Sequence, residues 1–225
     1  MKKYAVIVAG GSGQRMGTQV PKQFLLIHGK PVLWYTLDVF LRAYEDLDII
    51  LVVPEEHMET TRTMINAIGA PHRIRMITGG ATRWHSVYNG LQPIREDAVI
   101  FVHDGVRPLL STELVHNCYE QAVLMGSAVP VVDSKDSVRV MTGEDSTAIE
   151  RSRIKLVQTP QTFLSSILLP AYAKEYRETF TDEASVVEAY GGKVFLLNGE
   201  AENIKITTPL DLLFAGKIIE ERASG

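Results

Sequence analysis

Continuous apolar, β-branched runs recur along this chain between stretches of helical periodicity, and that alternation limits the fold more than any other feature. The runs are YAVIVA (residues 4–9), DIILVV (48–53), RIRMIT (73–78), AVIFVH (98–103) and SAVPVV (127–132), followed later by KVFLL (193–197) and NIKIT (203–207). A strand that is apolar on both sides has to be covered on both faces, which is the condition of a parallel-rich sheet held between helices. The intervening segments supply the cover. Leu33, Leu37, Phe40 and Leu41 share one helical face, and Leu114, Cys118, Ala122 and Met125 share another. Ligands of such sheets bind beyond the carboxyl ends of the strands, so every loop that follows a strand is a site candidate.

One region breaks the rhythm. Residues 133–162, DSKDSVRVMTGEDSTAIERSRIKLVQTPQT, are polar, with VRV and IKLV flanking the turn-rich TGEDS. This pattern predicts a hairpin with little core of its own, and a two-stranded excursion is marginal unless it packs on a partner. No repeat, low-complexity tract or linker divides the 225 residues, so the expectation is one domain, 1–225, carrying an arm over about 133–162.

Composition narrows the function classes. The net charge is −4, which argues against a nucleic-acid or membrane-surface protein, so local clusters of cations are read as sites. No run approaches the ~20 apolar residues of a membrane span. The apolar stretch in MKKYAVIVAGG is six residues long, shorter than a signal-peptide core, and the expected compartment is the cytoplasm. The single cysteine, Cys118, leaves no internal disulfide or thiolate zinc site and falls on an apolar helix face as a core residue.

The loop after the first strand run, AGGSGQRMGTQVPKQF (9–24), carries the strongest chemical signal. Its glycines leave backbone N–H groups free to face phosphate oxygens. Three familiar loops nearly fit. The Walker Gly-Lys-Ser/Thr is absent, Met16 stands where a dinucleotide loop needs its third glycine, and Gln14 replaces the last glycine of an esterase elbow. Ala9, Gly10, Gly11 and Gly13 with the cations Arg15 and Lys22 suit a polyphosphate whose transferring group gains charge in the transition state. Further on, Gly79 and Gly80 bring backbone close to a ligand, and Ser86, one helical turn later, is placed to bond a base edge. Asp104 at the end of the fourth run is either a hard ligand for Mg2+ or another divalent cation, a helix cap, or the ion-pair partner of Arg107. His103 reads as a buried strand histidine more than as a base. Lys205 alternates with Ile204 and Ile206, so a strand there points it away from the apolar pair.

GGSGQRMG followed by PKQ resembles the signature of the sugar-phosphate nucleotidylyltransferases, and within them the cytidylyltransferases that act on 2-C-methyl-D-erythritol 4-phosphate. GGATRWHSV (79–87), VHDGVRP (102–108), QTPQTF (158–163), TDEASV (181–186) and NIKITTPLDL (203–212) extend the resemblance over nearly the whole chain. It implies a Rossmann-like three-layer α/β sandwich with a mostly parallel twisted sheet, and a projecting β-arm through which a homodimer forms. It implies CTP and a polyol phosphate as substrates, with a divalent cation on Asp104. Arg15 and Lys22 would be catalytic, and Gly80, Ala81 and Ser86 would read the cytosine. Lys205 and Arg107 would bind the acceptor, joined by Ser137 and Arg151 from the neighbouring subunit. Ala81 stands where the family often has aspartate, Ser137 where it usually has threonine, and Gly105 and Val106 where many members have alanines. Asp182 and Glu183 are read as caps of the following helix or as support behind the site. The nearest rival is a ribitol-5-phosphate cytidylyltransferase. More distant ones are an NAD(P) oxidoreductase, disfavoured by Met16 and Lys22, and a catalytically silent nucleotide sensor, disfavoured by Arg15 together with Lys22.

Overall fold

The computed structural model of the chain describes residues 1–10 and 20–224. Strand β1 (Lys2–Val8) is followed by the short pair β2 (Leu26–Ile27) and β3 (Lys30–Pro31), then α1 (Val32–Ala43), β4 (Leu47–Val53) and α2 (Met58–Ala67). Next come β5 (Ile74–Thr78), α3 (Arg83–Leu91), β6 (Ala98–Asp104), α4 (Thr112–Met125) and β7 (Ser127–Asp133). The hairpin β8 (Val138–Thr142) and β9 (Asp145–Ile149) precedes β10 (Lys155–Val157) and β11 (Gln161–Leu164). Helices α5 (Ser165–Tyr172) and α6 (Glu183–Ala189), strand β12 (Leu196–Asn198) and α7 (Pro209–Ser224) follow.

The main sheet runs in the order β10-β7-β11-β6-β1-β4-β5, with β12 also on β7. β1 is parallel to β4 and β6, β4 to β5, and β12 to β7, while β11 lies antiparallel between β6 and β7. Helices cover both faces, so the architecture is the expected Rossmann-like α/β sandwich. Along β1, Ala5 and Ile7 join α1 and α4 through Leu33, Leu37, Phe40, Leu114 and Cys118. Val6 and Val8 point the other way, to Val87 and Leu91 of α3 and to Leu168 and Val187 of α5 and α6. The strand's period of two serves two cores, which is why the sequence shows an unbroken apolar run. Each fully buried Leu or Phe there contributes about 1.5–3 kcal/mol. Helix α4 starts where the Ser111 hydroxyl accepts from the Leu114 N–H at 2.9 Å and stops at Gly126, whose φ of +90° suits a residue without Cβ. No described helix is long and apolar enough to cross a membrane.

Four expectations change. Met125 closes α4 and is 43% exposed, while Val115 takes a core place. The late run KVFLL forms a strand only over Leu196–Asn198. NIKIT forms none: its backbone bonds go to local and side-chain partners and, from the Ile206 N–H, to the Val106 carbonyl at 2.9 Å, in place of a ladder. In the polar excursion, VRV pairs with Asp145–Ile149 across the two-residue loop Gly143–Glu144, where Gly143 has φ +64°. Residues Lys155–Val157 instead join the β7 edge. The part standing off the sheet is therefore 134–154, narrower than 133–162.

Candidate functional site

The carboxyl ends of β1 and β6, the loop after β5 and the 203–207 segment meet around one cavity. Among the described residues it is lined by Ala9, Gly10, Lys22, Gly80, Ala81, Arg83, Ser86, Asp104 and Lys205, with Val8, Gln23, Thr82 and Val106. Lys22 opens a short helical turn after Pro21 and is buried. The next residue, Gln23, donates its side-chain amide to the Ala9 carbonyl at 2.8 Å, which ties that turn to the end of β1.

The loop after β5 is shaped for close backbone approach. Gly79 donates to the Val53 carbonyl at 2.8 Å. The Ser86 hydroxyl accepts from the Gly80 N–H at 3.1 Å and donates to the Thr82 carbonyl at 3.0 Å. Thr82 caps α3 by accepting from the His85 N–H. A Cβ on Gly80 would stand 2.4 Å from the His85 Cβ, so only glycine fits.

Asp104 is the one carboxylate among the described lining residues, and three cations surround it. Arg83 Nε lies 3.2 Å from its Oδ1, and Lys205 Nζ and Arg107 Nε lie 3.0 and 3.6 Å from its Oδ2. Burial works against the charged carboxylate, yet Arg83, Lys205 and Arg107 overcome it and hold its pKa far below the usual carboxylate range. A Mg2+ ion takes one or two protein carboxylates and fills its other positions with phosphate oxygens and water. One pocket-facing carboxylate, Asp104, fits that need. Among the described residues no three His, Cys, Asp or Glu side chains cluster as a metal cage.

Behind the cavity wall, Arg83 also grips Glu183 of α6 with both terminal nitrogens, at 2.6 and 3.0 Å, and the Tyr172 hydroxyl reaches Glu183 at 3.1 Å. Asp182 does cap α6, through a reciprocal bond pair with Ser185, whereas Glu183 faces inward, completely buried. His103 is also completely buried, with Nδ1 2.9 Å from the Thr159 hydroxyl, and burial pushes its pKa down to about 3. It is neutral and outside the cavity lining. Arg107 sits behind Asp104, donating to the Asn203 carbonyl at 2.6 Å, and does not line the cavity. Lys205 does, because Ile206 and, in part, Ile204 pack under α7 and turn the lysine outward.

The cavity thus gathers Ala9, Gly10, Lys22, Gly80, Ala81, Ser86, Asp104 and Lys205 of the sequence candidates. Gly11, Gly13 and Arg15 lie outside the described residues. Ser137 and Arg151 stand on the exposed arm, Arg151 donating to the Lys135 carbonyl at 3.1 Å, away from this cavity. Sequence reasoning left Arg83 unassigned although it lies inside GGATRWHSV, and it passed over Tyr172, which no local pattern marks.

Residues 4–221 match the family model described as IspD, 2-C-methyl-D-erythritol 4-phosphate cytidylyltransferase. A protein of that name from Bacteroides fragilis is 46% identical over 97% of this chain and 100% of its own length. One from Porphyromonas gingivalis is 45% identical over 95% of this chain and 96% of its own. Among solved structures, the 4-diphosphocytidyl-2C-methyl-D-erythritol synthase of Anaerococcus prevotii superposes with a TM-score of 0.83 at 29% identity, covering 97% of this chain and 96% of that one. The 2-C-methyl-D-erythritol 4-phosphate cytidylyltransferase of Thermus thermophilus gives 0.76 at 31% identity, covering 98% and 100%.

Proposed function

The chain belongs to the 2-C-methyl-D-erythritol 4-phosphate cytidylyltransferase (IspD) family, and on that footing we propose how its residues transfer CMP from CTP to 2-C-methyl-D-erythritol 4-phosphate. The products are 4-diphosphocytidyl-2-C-methyl-D-erythritol, an isoprenoid precursor, and pyrophosphate. An oxygen of the acceptor phosphate attacks the α-phosphorus of CTP in line. The new P–O bond forms as the bond to the β-phosphate bridging oxygen breaks, and pyrophosphate departs with that electron pair. The nucleophile is already ionised near neutral pH and needs no base, consistent with His103 being neutral and buried.

The observation that carries this reading is the meeting of the close-packed Gly80 backbone with Ser86, and of the cations Lys22 and Lys205, around one cavity. The Gly80 and Ala81 backbone and Ser86 bond the cytosine edge, and the amides of Gly10, Gly11 and Gly13 cradle the triphosphate, beside Ala9, whose own N–H is held by the Val52 carbonyl at 2.8 Å. Lys22 and Arg15 stabilise the charge that develops on the α-phosphate. Lys205 turns from Asp104 to the acceptor phosphate, while Arg107 stays behind Asp104, bonded to the Asn203 carbonyl. A divalent cation held by Asp104 and the phosphates supplies further charge neutralisation.

The arm supports a homodimer: Val140 and Met141 are 46% and 64% exposed on it, and its Ser137 and Arg151 reach no part of the cavity of their own chain. We place the enzyme in the cytoplasm as one domain, 1–225, with each site completed by the partner's arm. Pyrophosphate release from CTP with 2-C-methyl-D-erythritol 4-phosphate, run beside ribitol 5-phosphate, tests the reading. Turnover is expected with the first acceptor, and a higher kcat/KM for ribitol 5-phosphate would overturn it.

A further inference from the structure

Asp104 faces a demand that its resting contacts do not reveal. If Lys205 leaves it for an acceptor phosphate, as proposed above, Oδ2 loses its 3.0 Å partner. Arg107 does not replace it, since its Nε is 3.6 Å away, beyond hydrogen-bonding reach, and is itself buried without a hydrogen bond. Arg83 Nε keeps its own bond to Oδ1 at 3.2 Å. A guanidinium at the end of a long side chain holds a direction only if its other nitrogens are fixed. Those of Arg83 are fixed by the planar fork on Glu183, at 2.6 and 3.0 Å.

Glu183 is in turn held from two sides. It is completely buried at the first turn of α6, and the Tyr172 hydroxyl of α5 bonds the oxygen that Arg83 Nη1 also uses. A buried carboxylate with an arginine fork and a phenol is a costly arrangement for stability alone, because desolvation offsets most of the attraction. Its geometry makes sense as a rigid mount whose far end is Asp104.

We propose that Glu183 is a positioning residue for the transfer reaction: through the Arg83 fork it holds the Asp104 carboxylate in its working orientation while Lys205 is engaged by substrate. Arg83 is the second positioning residue of this relay. The inference rests on the cytidylyltransferase reading and adds to it a role for the inward-facing member of the TDEAS segment. Through Arg83, helices α5 and α6 bear on a cavity that none of their own residues lines.

A double-mutant cycle on the full-length protein tests this. Glu183→Gln, Asp104→Asn and the double variant are compared by the affinity for 4-diphosphocytidyl-2-C-methyl-D-erythritol, read by calorimetry, which stays measurable where turnover does not. Each single variant is expected to weaken binding by about tenfold, and the double by no more than Asp104→Asn alone within about threefold, since groups acting as one unit are not additive. A support that merely stabilises the fold would instead give the product of the two factors, about a hundredfold. That result overturns the proposal, as does a Glu183→Gln variant that binds within threefold of wild type. If Glu183→Gln does not yield folded protein, Arg83→Gln, whose side chain is 28% exposed and better tolerated, takes its place in the same cycle. A wild-type chain that neither releases pyrophosphate nor binds the product overturns the cytidylyltransferase reading and the relay with it. A wild-type chain that does both but gives additive variants overturns the relay alone.

Discussion

Gly79 and Gly80 are neighbours, and the structure assigns them very different tolerance to an added methyl group. A Cβ on Gly79 would meet the Ser86 hydroxyl at 3.3 Å, a contact that a rotation of a few tenths of an ångström relieves. On Gly80 it would stand 2.4 Å from His85 Cβ and 2.9 Å from the His85 carbonyl carbon, so backbone has to move by about an ångström. Overpacking of this kind costs about 1–3 kcal/mol. For a chain of this length that is a fall in Tm of roughly 2–4 °C per kcal/mol. The displaced segment is the start of α3, and it carries Ser86, whose hydroxyl is tied to the Gly80 N–H and which is proposed, with the Gly80 and Ala81 backbone, to bond the cytosine edge. Loss of one or two such bonds weakens CTP binding by about 1–3 kcal/mol, or roughly five- to 150-fold. Calorimetric titration of Gly79→Ala and Gly80→Ala with CTP measures this directly. The expectation is near-normal affinity for the first and at least a tenfold loss for the second, with reduced discrimination against UTP. Equal affinity in the two variants would refute the reasoning, because the steric difference at the two positions would then have no bearing on the base.

Lys22→Ala should lower kcat by roughly 10²–10³-fold with a smaller change in CTP affinity, the scale of one lost transition-state donor; near-normal turnover removes the lysine from the chemistry. His103, with its pKa lowered from 6.5 to about 3 by burial, contributes stability that is present above pH 6.5 and lost as the pH falls towards 3. The Tm of wild type should therefore drop more steeply across that window than that of His103→Gln, while Asp104, whose pKa is also depressed, adds its loss only below its unfolded value of 3.8. Parallel acid limbs would show that His103 is not held neutral. Mixing Lys22→Ala with Arg151→Ala under subunit exchange should restore about a quarter of wild-type activity, since half the dimers are then mixed and each has one intact site. No recovery after verified exchange places Arg151 in its own subunit's site or away from both. Chelation of divalent cations should stop pyrophosphate release and added Mg2+ should restore it, and activity that survives chelation removes the ion from Asp104.

The sequence showed the layers and the strand ends clearly because both cores are built from side chains of alternating direction on the same strands, as Ala5 and Val6 illustrate. Glycine spacing likewise located the 79–80 notch, since steric need at Gly80 is local to the following turn. Pairing across distance was less legible. Lys155–Val157 has the composition of an arm strand, and only the open edge of β7 decides that it joins the main sheet. Lys205 was placed by strand alternation, and it does face the cavity, but through the packing of Ile206 under α7 and without a ladder. The Arg83 fork joins residues 100 positions apart, and an arginine and a glutamate at that separation carry no spacing signal.

The arm leaves the sheet at Asp133 and returns at Lys155, and these two residues are opposite each other in the β7–β10 register and joined by an ion pair. Everything between them hangs from a closed neck. A chain segment whose ends already touch can lengthen or shorten with little entropic consequence for the body that carries it. The residues that would read the acceptor from across a dimer therefore sit on a cassette that evolution can exchange whole. The nucleotide half of the cavity, built on β1, β6 and the start of α3, stays under the stricter rule of the packed core.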